Sequence, residues 1–307
     1  MNDINKIINN DEIDLFEIIK LVWDKKNFLL ITVILMTLCF LIISFLIPNK
    51  YESTLLMVAD EESSIQDSFS QYSALAGIAG ISLPTETSQG EIGIEVLKSR
   101  ILTEKFIKKH NLLIPLFASK EWDHETEELI LDKNIYNTDT KKWTRKIDYP
   151  YGLIPSSNEA YELWIDEVFS YDYDEQTGFI KVYIKHHSPV LAQKWAELLV
   201  EELNNYMRKI AVDEANLAIE YLEEEIQQTQ SEELKLLFYR LIQSKIEKNM
   251  LAYSRDEYLF RVIDPPFMPE EHSSPNRIII TFLGTFLGLI FGVIIIFFRE
   301  WRSHNKN

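Results

Sequence analysis

The chain has 307 residues and a formal net charge of −17 at pH 7, from 31 basic and 48 acidic side chains. So acidic a surface does not suit DNA, RNA or an anionic bilayer, which argues against nucleic-acid binding. The single cysteine, Cys39, lies in an apolar segment and can form no intramolecular disulfide.

Two uncharged apolar segments are predicted to cross a membrane. Residues 28–47 and 278–298 carry no charge, and as helices both match the roughly 30 Å apolar core of a bilayer. The alternative for the first is a cleaved signal sequence, which has a short basic leader and a small-residue cleavage site. The 27-residue leader instead holds six acidic side chains, so we interpret both segments as spans.

Basic residues beside the spans predict their orientation, because such residues favour the cytoplasmic side. Lys20, Lys25 and Lys26 precede the first span, Arg299, Arg302 and Lys306 follow the second, and Trp23 and Trp301 fit the same interface. The predicted organisation is a cytoplasmic N-terminus (1–27), a first span (28–47), an extracytoplasmic domain (48–277), a second span (278–298) and a cytoplasmic C-terminus (299–307).

The first part of the extracytoplasmic domain is predicted to contain both strands and helices. Residues 51–59 indicate a strand, and a Ser, Gly and Gln-rich excursion around 74–81 follows. Helical spacing predicts one amphipathic helix over 91–110, whereas residues 111–160 give no clear pattern. Alternating apolar residues on either side of 174–178 predict a β-hairpin, whose turn lacks the spacing of a calcium-binding loop.

A long helical region follows, without glycine from residue 188 to residue 264. Ser188 and Pro189 predict its start, and Thr229 with Glu232 predict a capping box that begins a second helix. Residues at helical spacing form a stripe that needs a packing partner: Leu199, Leu203, Tyr206, Ile210, Ile219, Leu222 and Ile226. Because 189–255 as one helix would be about 100 Å long, it either folds back or projects.

A strand at 258–263 is expected to return the chain and pair with residues 51–59. The predicted fold class is α+β: a base with a mixed sheet (51–187), a long helical arm (188–257), and a returning strand with a proline-rich linker (258–277), all between two transmembrane helices.

The order of these elements resembles a known family. The stretches YESTLLMV, LAGIAGI, LKSRILTEKFI, SPVLAQKWAELLVEELN, AIEYLEEEI and FRVIDPPFMP occur in turn between the two spans. In this order they are similar to the polysaccharide co-polymerases, the Wzz-type chain-length determinants of bacterial O-antigen and related polysaccharides. The proline step departs from the family pattern, since Pro275 follows Pro269 only after six positions.

The resemblance implies a protein of the bacterial inner membrane with a periplasmic domain and a ring of identical subunits. It implies a regulator without catalytic activity or cofactor, which sets polysaccharide length together with the polymerase, and it leaves open whether the protein contacts the lipid-linked glycan. A co-polymerase for capsule, exopolysaccharide or enterobacterial-type common antigen remains the alternative. The resemblance does not extend to an appended kinase, because nine residues follow the span and no phosphate-binding loop occurs.

The sequence offers no recognisable catalytic or metal motif. None of the six histidines occurs in H-E-x-x-H, and no G-x-S-x-G elbow is present. Four tryptophans, at positions 122, 143, 164 and 195, are interpreted as core residues rather than sugar-stacking surfaces. A two-span sensor remains an alternative, although it normally needs a larger cytoplasmic part. A membrane-anchored glycan hydrolase would need an active site.

Glycine and proline mark the last part of the chain. Gly284, Gly288 and Gly292 recur every four residues in the second span and predict close packing against another helix. The partner is left open: the first span, a neighbouring subunit or the polymerase. Four prolines are predicted to form a stiff strut that orients the periplasmic domain: Pro265, Pro266, Pro269 and Pro275.

Overall fold

The computed structural model describes residues 23–59, 89–255 and 257–304. The predicted excursion around 74–81, Lys20 and Lys306 lie outside this range, as does the side chain of Trp301. The described chain forms two units, one made by its two ends and one by residues Lys50–His272.

The first unit, here called the membrane unit, consists of helices α1 (Lys26–Leu46) and α8 (Arg277–His304) packed against each other. Both helices are long and apolar enough to cross a membrane. Their outward side chains are apolar and strongly exposed; Leu46 is 77% and Ile278 82% accessible. So much exposed apolar surface is unfavourable in water and suits the hydrocarbon of a bilayer. Two candidate membrane helices are therefore confirmed.

The second unit, here called the large unit, alternates strands and helices before a long helical stretch. Its first elements are β1 (Tyr51–Ala59), α2 (Gln89–Leu97), α3 (Arg100–Lys109), α4 (Leu113–Ala118), β2 (Ser119–Asp123), β3 (Glu128–Leu131), β4 (Tyr136–Asn137) and β5 (Lys142–Trp143). It continues with α5 (Ser157–Leu163), a π-helical turn (Trp164–Val168), β6 (Phe169–Tyr173), β7 (Phe179–His186), α6 (Pro189–Gln228), α7 (Glu232–Ser254) and β8 (Phe260–Asp264).

Four strands form one antiparallel sheet in the order β6, β7, β1, β8. In β1 alternate residues are buried, from Tyr51 to Met57, which is the pattern of a strand with one face toward a core. Leu55 pairs with Val182 of β7, and Val58 pairs with Arg261 of β8. The predicted pairing of the first and the returning strand is therefore observed.

The core lies between this sheet and the helices packed on its inner face. Trp164, Trp195 and Phe106 are almost completely buried, and Leu199 and Leu203 of α6 lie among them. Neighbouring ring centroids are 5.2 Å apart for Phe106 and Trp164 and 5.8 Å apart for Trp164 and Trp195. This aromatic cluster joins α3, the π-helical turn and α6 to the sheet.

The α+β class is confirmed, with three differences in detail. The sheet is antiparallel throughout its described pairs, where a mixed sheet was expected. The helix predicted over 91–110 is two helices, because the side chain of Ser99 accepts a hydrogen bond from Leu102 N and caps α3. Helix α7 is capped by Ser231, which accepts from Leu234 N, and not by Thr229.

Several local predictions agree with the structure. The β-hairpin is formed by β6 and β7, and the Asp174 carboxylate accepts hydrogen bonds from Gln176 N and from the Thr177 hydroxyl in its turn. Gly178 adopts φ 71° there, a conformation that glycine takes without steric cost. Helix α6 begins at Pro189, with the Ser188 side chain accepting from Leu191 N.

The long helical region folds back on itself. After 40 residues, α6 ends at Gln228, and α7 returns alongside its second half. Asn249 Nδ2 donates to Asn216 Oδ1 over 3.0 Å, and Arg208 Nη2 donates to Arg255 O over 2.8 Å. The second half of α6 and α7 thus form a helical hairpin, here called the arm.

Candidate functional site

The glycine face of α8 lies against α1 of the same chain. A Cβ atom built on Gly284 would come within 2.4 Å of Phe40 Cβ, and one on Gly288 within 2.9 Å of Met36 Cβ. At Gly292 it would lie 2.8 Å from Leu29 Cδ1. Of the three partners left open by the sequence, the first span therefore occupies this face.

A polar contact lies on the same face. The hydroxyl oxygens of Thr37 and Thr285 are 3.0 Å apart, and each also lies within hydrogen-bonding distance of the carbonyl four residues earlier in its own helix. Because a hydroxyl has one proton, one of the two donates across the contact and the other donates to its own helix carbonyl. The glycine beside Thr285 lets the two backbones approach closely enough for this hydrogen bond. The pair supplies a polar link in a contact that is otherwise apolar.

At the N-terminal end of α8, Arg277 contacts the chain that follows α1. Its Nη2 donates to Asn49 Oδ1 over 3.0 Å, and its guanidinium lies 4.7 Å from the ring centroid of Phe45. These contacts tie the start of the second membrane helix to the end of the first.

The stripe predicted along α6 divides into two parts. Leu199 and Leu203 are fully buried against the sheet, and Tyr206 packs on the edge of that core. The remaining four positions are only half-buried: Ile210, Ile219, Leu222 and Ile226. The first part therefore anchors α6 to the base, whereas the second lies in the half of α6 alongside which α7 returns.

Beyond that contact, the arm has a surface of large exposed apolar side chains. Leu217 and Tyr221 lie one turn apart on α6, with 66% and 62% of their surface accessible. The exposed set on α7 comprises Leu234, Leu236, Leu237, Tyr239, Ile246, Met250, Leu251 and Tyr253. Exposed apolar surface of this extent is typical of an interaction surface. Sequence analysis missed it, because the predicted stripe follows a different face of α6 from the one that carries Leu217 and Tyr221.

Asn204 is a structural residue that the sequence analysis did not identify. Its side chain is buried; Nδ2 donates to Phe260 O, and Oδ1 accepts from the amides of Leu259 and Phe260, all over 2.9 Å. Three hydrogen bonds from one amide thus fix the start of β8 on α6. The partners lie 55 and 56 positions away, so no local pattern indicates them.

The first residues of the proline-rich segment, directly after β8, pack against the large unit. Pro266 and Pro269 are buried, and the Pro266 carbonyl accepts a hydrogen bond from Gln193 Nε2 of α6. The next carbonyl, of Phe267, accepts from the Ser53 hydroxyl of β1 over 2.8 Å. The segment therefore begins as part of the large unit. Pro265 is exposed and Pro275 half-buried, and the role of the four prolines as a strut stays a prediction.

Two of the four tryptophans and one histidine lie in the core. Trp164 and Trp195 are core residues, whereas Trp122 and Trp143 are half-buried. His186 is buried, and its burial lowers the pKa to about 4. Across residues 23–59, 89–255 and 257–304, no three His, Cys, Asp or Glu side chains come together as metal ligands.

Comparison with known proteins gives a family for the first third of the chain. Residues 11–110 match the family model for Wzz, chain length determinant protein. No curated protein matches the chain.

Two solved structures resemble the chain remotely. A full-length bacterial polysaccharide co-polymerase is 15% identical, with 96% of this chain and 100% of that chain covered and a TM-score of 0.40. A fragment of WzzB, a polysaccharide co-polymerase from Salmonella Typhimurium, is 12% identical over 74% of this chain and 100% of that chain, with a TM-score of 0.27. The assignment therefore rests on the family model. Residues 11–110, which include α1, β1, α2 and α3, match the Wzz family model, in agreement with the family predicted from the sequence motifs.

Proposed function

We propose that this chain is a non-catalytic polysaccharide co-polymerase that sets the length of O-antigen chains in the bacterial inner membrane. The observation that carries the proposal is the Wzz chain length determinant match, which continues from the first membrane helix into the sheet and helices of the large unit. Chain-length regulation is the role of that family. In this proposal both termini are cytoplasmic, as the basic residues beside the spans suggest, and the large unit is periplasmic.

We further propose that the protein works as a ring of identical subunits beside the polymerase. The exposed apolar surface of the arm supports self-association, because a neighbouring subunit can cover it. The contact between α1 and α8 uses the glycine face within one subunit, so other faces of the two helices remain for neighbouring subunits and for the polymerase. The lipid-linked glycan is the expected substrate of the assembled complex.

The test is an electrophoretic ladder of cell-surface polysaccharide with and without the gene. Loss of a length regulator is expected to replace a cluster of long chains by a short ladder that decays randomly. Restoring the gene on a plasmid is the control and should restore the cluster. A variant with alanine at the four prolines is expected to shift the cluster if those residues orient the large unit.

The same ladder distinguishes the alternative. If the pattern is unchanged while total capsule or exopolysaccharide falls, the protein serves an exported polymer and the O-antigen proposal is wrong. If neither polymer changes, the proposed role in length control is wrong.

A further inference from the structure

A nine-residue loop of the large unit exposes an unusual amount of apolar surface. All of residues 146–154, here called the apolar loop, are exposed, and Tyr149 is 95% accessible. Its large exposed side chains are Ile147, Tyr149, Tyr151, Leu153 and Ile154. Single exposed apolar side chains are common on soluble surfaces, but five within eight positions call for a partner surface.

The apolar loop is held in a fixed shape from beneath. The side chain of Arg145 is buried and donates from Nε to Leu153 O over 2.9 Å and from Nη2 to Gly152 O over 2.6 Å. The same guanidinium makes a two-point contact with the Glu159 carboxylate, at 2.7 and 3.1 Å. A charged side chain is buried only when it is well paired, so this arrangement pre-orders the loop.

The contacts of Arg145 place the apolar loop at one end of the sheet. Its guanidinium lies 5.7 Å from the ring centroid of Phe117 in α4. The neighbouring Pro115 carbonyl accepts from His186 Nε2, and His186 pairs with Tyr51 at the beginning of β1. The β6–β7 turn lies at the opposite end, because Val58 near the end of β1 pairs with Phe179.

The chain also enters and leaves the large unit at this end. It enters at Lys50, three residues after the first apolar segment, and the returning segment is fixed there by the hydrogen bond from Ser53 to Phe267. Phe267 and Met268 are themselves more than half exposed. Exposed apolar side chains therefore gather at the end of the unit that short connectors tether to the spans.

We propose that the apolar loop docks on the surface of the bilayer that α1 and α8 cross. Tyrosine beside isoleucine and leucine is the composition of the membrane–water interface, where the ring is apolar and the hydroxyl remains hydrated. The loop carries one basic and one acidic side chain, Lys146 and Asp148, and so lacks the negative charge that keeps the rest of the surface away from anionic lipid. Because the large unit is joined covalently to the spans, the loop needs only a weak affinity for lipid. A small apolar surface is therefore enough for it to bind the bilayer.

The experiment uses the full chain in nanodiscs of phosphatidylethanolamine and phosphatidylglycerol. Cys39→Ser removes the native thiol, and Tyr149→Cys carries a nitrobenzoxadiazole label. The matched control is Gln176→Cys, which places the same label in the turn at the opposite end of the sheet. Lipids with brominated acyl chains are expected to quench the label at 149 at least about twofold more than the label at 176.

A second variant tests whether the apolar side chains of the loop cause its contact with lipid. Leu153→Glu with Ile154→Glu, added to the labelled Tyr149→Cys chain, is expected to reduce quenching to the level at 176. Equal quenching at 149 and 176 in the parent chain overturns the proposal. Protection of the label from aqueous iodide without quenching by brominated lipid also overturns it, because the loop then contacts protein, such as a second copy. These outcomes do not depend on whether the chain regulates polysaccharide length.

Discussion

At the scale of single residues, His186 shows how burial sets a protonation state. Its Nδ1 accepts from Ser188 N over 3.0 Å, so the proton lies on Nε2, which faces the Pro115 carbonyl at 3.0 Å. Burial lowers the pKa to about 4, and the neighbouring His187 and Lys50 favour the neutral form further. A neutral imidazole is therefore part of the folded core beside Trp195, whose ring centroid is 4.5 Å away.

This site predicts a loss of stability in mild acid. The pKa in the folded chain lies below the usual value near 6.5, so between these values the unfolded chain binds a proton that the folded chain does not. The free energy of unfolding should fall as the pH drops from about 6.5 to about 4, by about 3 kcal/mol from this residue. Urea unfolding of the detergent-solubilised chain, followed by tryptophan fluorescence, measures the effect.

The control for this prediction is His186→Gln, which does not titrate. Its amide can still donate toward Pro115 O, although Ser188 N loses its acceptor, so the variant starts less stable. Its stability should nevertheless change less with pH than that of the parent. Parallel pH dependence of the two proteins would contradict the assignment of a neutral buried histidine.

At the scale of elements, the contact between α1 and α8 depends on glycine to different degrees along its length. A Cβ on Gly288 would lie 3.1 Å from the Val33 backbone, which cannot move aside, whereas one on Gly292 meets the end of a flexible leucine side chain. Gly288→Ile should therefore separate the helices, while Gly292→Ala should be tolerated by a change in the Leu29 rotamer.

Cysteine cross-linking measures this difference. In a Cys39→Ser chain, Thr37→Cys and Thr285→Cys replace hydroxyls that are 3.0 Å apart, so oxidation should form a disulfide within the chain. The disulfide yield should fall sharply with Gly288→Ile and remain near the parent level with Gly292→Ala. Efficient cross-linking in the Gly288→Ile chain would show that this contact does not need glycine.

The elements that the sequence predicted correctly are those with local signals. Ser188 followed by Pro189 specifies the start of α6, and alternating residues around Gly178 specify the hairpin. The break before α3 also had a local signal in Ser99, but continuous apolar spacing across it favoured one helix. A good N-cap inside an amphipathic pattern can thus outweigh its periodicity.

The features that the sequence did not predict depend on partners far along the chain. Asn204 is defined by amides 55 and 56 positions away, and the apolar loop by a buried contact between Arg145 and Glu159. Residues 111–160 form short helices, two-stranded ladders and turns, which lack a sustained period. The glycine repeat was visible, but its partner was not, because helix packing depends on the shape of both surfaces.

At the scale of the whole molecule, the exposed apolar side chains of the arm predict a contact between subunits. Its exposed apolar side chains are unfavourable in water unless a neighbouring arm covers them. Leu217→Glu with Tyr221→Glu places two charges on this surface, one turn apart, and should shift the detergent-solubilised protein to smaller assemblies. Light scattering after size-exclusion chromatography measures the mass.

Glu224→Gln is the matched control, since it changes an exposed polar residue of the same helix. It should leave the assembly mass unchanged. An unchanged mass in the double variant would mean that subunits associate through another surface.

The position of β1 in the sheet has a consequence for how the protein is made. This strand lies between β7 and β8, whose first residues are Phe179 and Phe260, so both of its neighbours are synthesised long after it. At a synthesis rate of about 5–20 residues per second, roughly 10–40 s pass between the synthesis of β1 and that of β8. The sheet is completed only as the chain reaches α8, and synthesis of the large unit must therefore keep an unpaired, apolar strand from aggregating until its last partner arrives.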